Sequence, residues 1–253
     1  MRKGYLINYE ETFKGYKVLQ NLEYWYNTRN LESILKILEH CRETMTNPVM
    51  YQIEFSYDPD KFNKSVFLEV LRRKWKSEWK KYEEERKEKW ILKYEEAQLK
   101  GEKTSSFRSR KIPEFHYIYS FEFKEFKPAG IRRDRGKIML NYHHCHFMFI
   151  VDLRHNQFGI DEVVYRSINA FKKIEGINKG KNKRNGKDQN PRLNYRKTEK
   201  PEEGGFIEAR YHDLKTEFED AFTRASYLSK TSQKAGVMTR NSFGSSIKLC
   251  KVM

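Results

Sequence analysis

Two histidines, His144 and His146, stand two residues apart inside the run Asn-Tyr-His-His-Cys-His-Phe-Met-Phe-Ile-Val at residues 141–151. The apolar character begins at Ile138, and the density of β-branched and aromatic residues predicts a strand buried on both faces. Alternation along a strand puts His144 and His146 on one face with Tyr142 and Met148, and His143, Cys145 and Phe147 on the other. Two imidazoles so placed form a pincer for a divalent metal, against the plainer alternative of packed or edge histidines. Glu122 lies between two phenylalanines in a second strand-like run, residues 115–123. There it faces solvent with Ser120 and Lys124, or it shares a face with the histidine pair if the two runs are antiparallel neighbours. The third candidate is Tyr227, with Arg224 and Lys230 three residues to either side of it on a helix predicted over residues 213–230. Nearby positive charge favours the ionised phenol, whose reference pKa is about 10 and which is the form able to attack phosphorus. An exposed tyrosine beside lysines is the alternative.

The elements that must position these groups follow from periodicity. Leu19, Leu22, Tyr26, Ile34, Ile37 and Leu38 recur at helical spacing and predict two helical pieces over residues 16–42, broken near residues 27–30. Residues 49–57 alternate as a half-buried strand, which the Asp-Pro-Asp turn at residues 58–60 ends. The strongest helical pattern is residues 63–99, where Phe67, Leu71, Trp75, Trp79, Tyr82, Trp90 and Tyr94 recur among many lysines and glutamates. It predicts one long amphipathic charged helix or a helical pair. A further helix is expected over residues 161–173 and a short strand over residues 206–211. The last helix has Asp213 as its N-cap, with Leu214, Phe218, Ala221, Phe222 and Ala225 facing the core and Tyr227 off that stripe. Two basic stretches have no pattern of their own: the loop 127–137 with Arg132 and Arg133, and residues 176–205 with Lys181, Lys183 and Arg184.

Composition narrows the partner. The 253 residues carry 51 Lys+Arg against 35 Asp+Glu, a net charge of +16, with 15% aromatics spread among the basic residues. That combination suits a polyanion whose phosphates are neutralised and whose bases stack on rings, so nucleic acid is the expected partner. No run of about 18 apolar residues exists, and the basic start is followed by no apolar signal region, so a cytoplasmic location with no membrane contact is expected. Cys41, Cys145 and Cys250 form no CxxC pair, which argues against a zinc knuckle or a disulfide scaffold.

Taken together, His144-Cys145-His146 followed by Phe147-Met148-Phe149-Ile150, then Ser226-Tyr227-Leu228-Ser229-Lys230, then Arg240-Asn241-Ser242-Phe243-Gly244-Ser245-Ser246, resemble the HUH endonuclease superfamily. Within it the chain is most similar to the rolling-circle replication initiators of filamentous phages, their prophage relatives and small plasmids, over about residues 115–247. The last stretch is similar to the Arg-x-Ser-Phe-Gly-x-Ser run that follows the tyrosine in phage-type members. The resemblance implies His144, His146 and Glu122 as ligands of Mg²⁺ or Mn²⁺, Tyr227 as nucleophile and Lys230 as its partner. It also implies a 5′-phosphotyrosine intermediate and a 3′-hydroxyl primer. The expected substrate is single-stranded or hairpin DNA at a replication origin, in a prokaryotic host whose polymerase and helicase would take over. Arg224, Arg132, Arg133, Lys181, Lys183 and Arg184 are the candidate DNA contacts. Cys145 departs from the bulkier apolar residue usual between the histidines, and only one candidate tyrosine is present where some members carry two. A relaxase or tyrosine transposase using the same site, and a catalytically inactive DNA-binding regulator, are the rival functions.

The expected fold is α+β: a central antiparallel sheet of about five strands of the HUH or RRM kind, with helices against one face. Residues 1–48 would form a helical segment, 49–235 the nuclease domain with a helical insertion at 62–100, and 236–253 a tail.

Overall fold

The computed structural model describes residues 7–19, 25–124, 142–154, 159–177, 192–193, 211–231 and 242–246. The chain opens with four two-residue strands, β1 (Ile7–Asn8), β2 (Thr12–Phe13), β3 (Tyr16–Lys17) and β4 (Tyr26–Asn27), paired β1 with β4 and β2 with β3. Helix α1 (Thr28–Thr44) follows directly. This corrects the expectation of two helical pieces. Asn27 begins one helix rather than breaking two, because its side-chain oxygen accepts the backbone N–H of Asn30 at 3.1 Å and satisfies an orphan donor of the first turn.

Strand β5 (Pro48–Tyr57) leads into the 33-residue helix α2 (Phe67–Leu99), then come β6 (Phe115–Lys124), β7 (Tyr142–Asp152) and helix α3 (Ile160–Lys172). Two short strands, β8 (Arg192–Leu193) and β9 (His212–Asp213), precede helix α4 (Phe218–Ser226), and β10 (Phe243–Ser245) is the last element described. The main sheet runs β10-β6-β7-β5-β8, with β9 also pairing with β5, and every pairing is antiparallel. The fold is therefore α+β around an antiparallel sheet. The expected strand over residues 206–211 falls outside the described residues for all but Tyr211.

The helices cover both faces, not one. Val49, Tyr51, Ile53, Phe55 and Tyr57 of β5 join Tyr117, Phe121, Phe147 and Phe149 under α2 and α3. The alternate residues Met50, Ile118, Met148 and Ile150 pack under α1 and α4. The reason lies in β5 and β7, which place buried apolar residues on both faces and so need a cover on each side. For the same reason β5 is almost fully buried rather than half-buried. Each fully buried aromatic here contributes roughly 1.5–3 kcal/mol relative to exposure.

The last helix begins later than its sequence pattern predicts. Asp213 lies in β9, paired with Val49, and its carboxylate accepts the N–H of Lys215 at 2.8 Å, so it caps a turn instead of a helix. Helix α4 ends at Ser226 and tightens into a 3-10 turn over Tyr227–Ser229.

Candidate active site

The site is built by register. β7 lies between β5 and β6, with Glu122 opposite His144, Ser120 opposite His146 on one side, and Glu54 opposite His146 on the other. Because opposed residues of paired strands point to the same face, Gln52, Glu54, Ser120, Glu122, His144 and His146 gather on the face that α1 and α4 cover. Glu122 is thus not on a solvated face: it is 0% exposed. Its Oε2 is 3.3 Å from His144 Nε2 and 3.5 Å from His146 Nε2, and Ser120 donates to Oε1 at 3.3 Å. The two imidazoles meet edge to face, with ring centroids 4.9 Å apart.

This group could hold a metal ion: one ligand atom from each of the three residues lies within 4.8 Å of the others. Ligand bonds of about 2.0–2.2 Å separate adjacent donor atoms by roughly 3–3.5 Å, which matches the two carboxylate–imidazole distances. Two imidazoles and one carboxylate leave positions for substrate or water, so the set suits a catalytic rather than a structural ion.

Burial alone would raise the Glu122 carboxyl. Hydrogen bonds from His144 and His146 and the charges of His146 and Lys230 outweigh it and hold Glu122 ionised, well below the usual carboxylate range. Lys230 is also 0% exposed, with its Nζ 2.8 Å from Glu122 Oε2. A buried ammonium without a counter-charge would be costly, and Glu122 supplies one.

Lys230 joins this carboxylate to the tyrosine. The 3-10 turn drops Lys230 inward, so that its Nζ lies 3.6 Å from the centroid of the Tyr227 ring and donates to the Tyr227 hydroxyl. Tyr227 is half-buried, and its ring stands edge-on to His146 with centroids 5.0 Å apart. Arg224 donates from Nε to Gln52 Oε1 at 3.1 Å, and Gln52 Nε2 is 2.8 Å from His146 Nδ1. Glu54 Oε2 lies 3.8 Å from the same Nδ1. The Gln52 amide therefore donates to Nδ1, which leaves the ring proton on the Nε2 that faces Glu122 and must leave before that nitrogen can bind a metal, while β5 and α4 hold the ring from behind.

Glu122, His144, His146, Tyr227, Lys230 and Arg224 therefore come together in one site. Arg132, Arg133, Lys181, Lys183 and Arg184 lie outside the described residues. Sequence reasoning missed Gln52 and Glu54. The signal was present in their positions: with Ser56 they are polar residues at every second place of an otherwise apolar strand. The chain matches no family model, no curated protein and no solved structure.

Proposed function

We propose that the protein is a metal-dependent single-strand DNA endonuclease of the HUH type that initiates rolling-circle replication at an origin. The observation that carries the reading is the meeting of two constellations far apart in sequence. The Glu122-His144-His146 group and Tyr227 share Lys230, which contacts both Glu122 and the phenol.

His144, His146 and Glu122 would hold Mg²⁺ or Mn²⁺, which when bound would supply Lewis acidity to the scissile phosphate. The Tyr227 oxygen attacks phosphorus in line as the P–O3′ bond breaks. The phenol loses its proton, the 3′ oxygen gains one, and the 5′ phosphate stays on Tyr227. Lys230 lowers the cost of the phenolate by placing an ammonium against the hydroxyl. Arg224 and Gln52 keep His146 oriented. The free 3′-hydroxyl is a primer for a host polymerase, with a host helicase opening the duplex ahead of it. The single candidate tyrosine fits one strand transfer per site rather than a relay between two.

The test is a nicking assay on single-stranded oligonucleotides tiling the DNA that flanks the gene, with Mn²⁺ or EDTA, resolved on denaturing protein gels. A metal-dependent shifted band that disappears in Tyr227→Phe and His144→Ala is the expected result. Tight binding with no adduct on any of these oligonucleotides would favour a DNA-binding regulator instead.

A further inference from the structure

The C-terminal half of α2 leaves the core. Beyond Trp79 its one buried residue is Ala97, and most of its side chains are exposed. Residues 100–114 return along it, fixed by helix side chains rather than by a strand partner. Trp90 Nε1 donates to Ser105 O at 3.0 Å and Arg86 Nη2 to Arg108 O at 3.0 Å. Glu83 Oε2 accepts the N–H of Arg110 at 3.1 Å, and Trp75 Nε1 donates to Pro113 O at 2.7 Å. Helix numbers rise as segment numbers fall, so the return is antiparallel, tied every one to three turns.

Beside it opens a cavity of about 1310 Å³, walled by α2, the return segment and the ends of α1 and β7. That exceeds the roughly 300–1,000 Å³ of small-molecule pockets, so an extended occupant fits better than a metabolite. The wall holds seven Lys or Arg residues against two carboxylates. One of the two, Asp152, is already satisfied within the protein: it accepts the backbone N–H groups of Thr46, Asn47 and Arg154 at 3.2, 2.9 and 3.0 Å. Lys89, Lys93, Arg108 and Lys111 are exposed on the wall, beside the half-buried rings of Trp90 and Phe107.

We propose that this groove binds single-stranded nucleic acid, with the groove's cations on the phosphates and the bases on the faces of Trp90 and Phe107 that Tyr94 and Arg86 do not cover. Cations interleaved with rings favour a single strand over a duplex, whose bases are stacked on one another. The groove does not depend on the tyrosine reading. Along β7, Asp152 is six residues from His146, about 20 Å at strand rise, so the groove is separate from the candidate active site.

The test measures anisotropy of a labelled 20-nucleotide single strand in EDTA, so that no cleavage chemistry enters. Wild type is compared with a variant carrying Lys89→Gln, Lys93→Gln, Arg108→Gln and Lys111→Gln. The control carries Lys17→Gln, Lys36→Gln, Lys61→Gln and Lys80→Gln, which has the same net charge, and thermal melts establish that both fold. The groove variant should bind at least 10-fold more weakly, with the slope of log K against log salt smaller by about three. The control should lose less than threefold. In wild type, a 5-iododeoxyuridine strand should crosslink to peptides containing Trp90 or Phe107. Equal losses in the two variants, crosslinks only elsewhere, or displacement by poly-glutamate as effective as by unlabelled DNA would overturn the assignment. The last result would give the groove to an acidic protein. Failure here leaves the nicking assay untouched, and failure there leaves this groove standing.

Discussion

At the scale of single residues the site is a set of polar groups buried for a purpose. His146 is oriented by Gln52, which Arg224 holds in turn. Glu122→Ala removes one of the three residues that could hold a metal and strands the buried Lys230, so it should abolish metal binding and destabilise the fold by about 3–5 kcal/mol in urea. A pH effect follows from Cys41, whose thiol burial pushes up to about 12. Unfolded, it titrates near about 8.5. The folded chain thus keeps a proton that the unfolded chain gives up, and the stability this represents is present below that value and lost as pH rises towards 12. Between pH 7 and pH 10 wild type should lose about 2 kcal/mol more than Cys41→Ala does. The histidine pair was legible in the sequence because strand alternation puts both on one face, whereas the face of Glu122 was settled only by the β6–β7 pairing. Gln52 and Glu54 were not, because their nearness to His146 comes from the register between β5 and β7, which no local pattern records.

At the scale of elements, two joints hold the α2 and α3 layer. Arg166 on α3 reaches Glu85 at 2.6 Å, Glu162 at 2.6 Å and the buried Glu78 of α2 at 4.0 Å, with Lys173 also on Glu78. Arg166→Ala should cost about 3 kcal/mol, since it takes from Glu78 one of its two cations. Gly176, which follows α3, has φ +78°, and a Cβ there would sit 2.5 Å from Phe62 N and 2.7 Å from Phe62 Cα. Gly176→Ala should therefore lower the urea midpoint by an amount equivalent to about 1–3 kcal/mol, since backbone on both sides must shift. The strands β5, β6 and β7 were readable because apolar runs of nine to eleven residues have few other uses. The start of α1 was not, since helical spacing continued back through residues that form short ladders, and only the Asn27 cap marks the boundary. The start of α4 was misread for the converse reason: Asp213 has the chemistry of a cap, and it caps a turn.

For the whole molecule, the candidate active site and the basic groove lie towards opposite ends of one sheet. Glu122 and His144 lie near the β6 C-terminus and the β7 N-terminus, while Asp152 and Glu114 lie at the other ends of the same pair. No helix among the described residues is long and apolar enough to cross a membrane. The net charge of +16 reads as a property of the whole surface, and its concentration beside α2 could not be inferred from composition, because α2 itself carries many glutamates. Only the return of residues 100–114 along the helix brings the cations together. Helices on both faces were likewise hidden, since an apolar run states that a strand is covered but not by what.

The central claim is that Tyr227 takes up the 5′ phosphate of a cut strand, and mass spectrometry of the adduct tests it most directly. Protein incubated with Mn²⁺ and a cleaved single strand would be digested with nuclease and trypsin, which releases Ala225 to Lys230 as one peptide. The account predicts that peptide bearing a nucleotide 5′-phosphate on Tyr227, absent when EDTA is present. A nucleotide on any other residue, or cleavage that leaves every tyrosine unmodified, would contradict it.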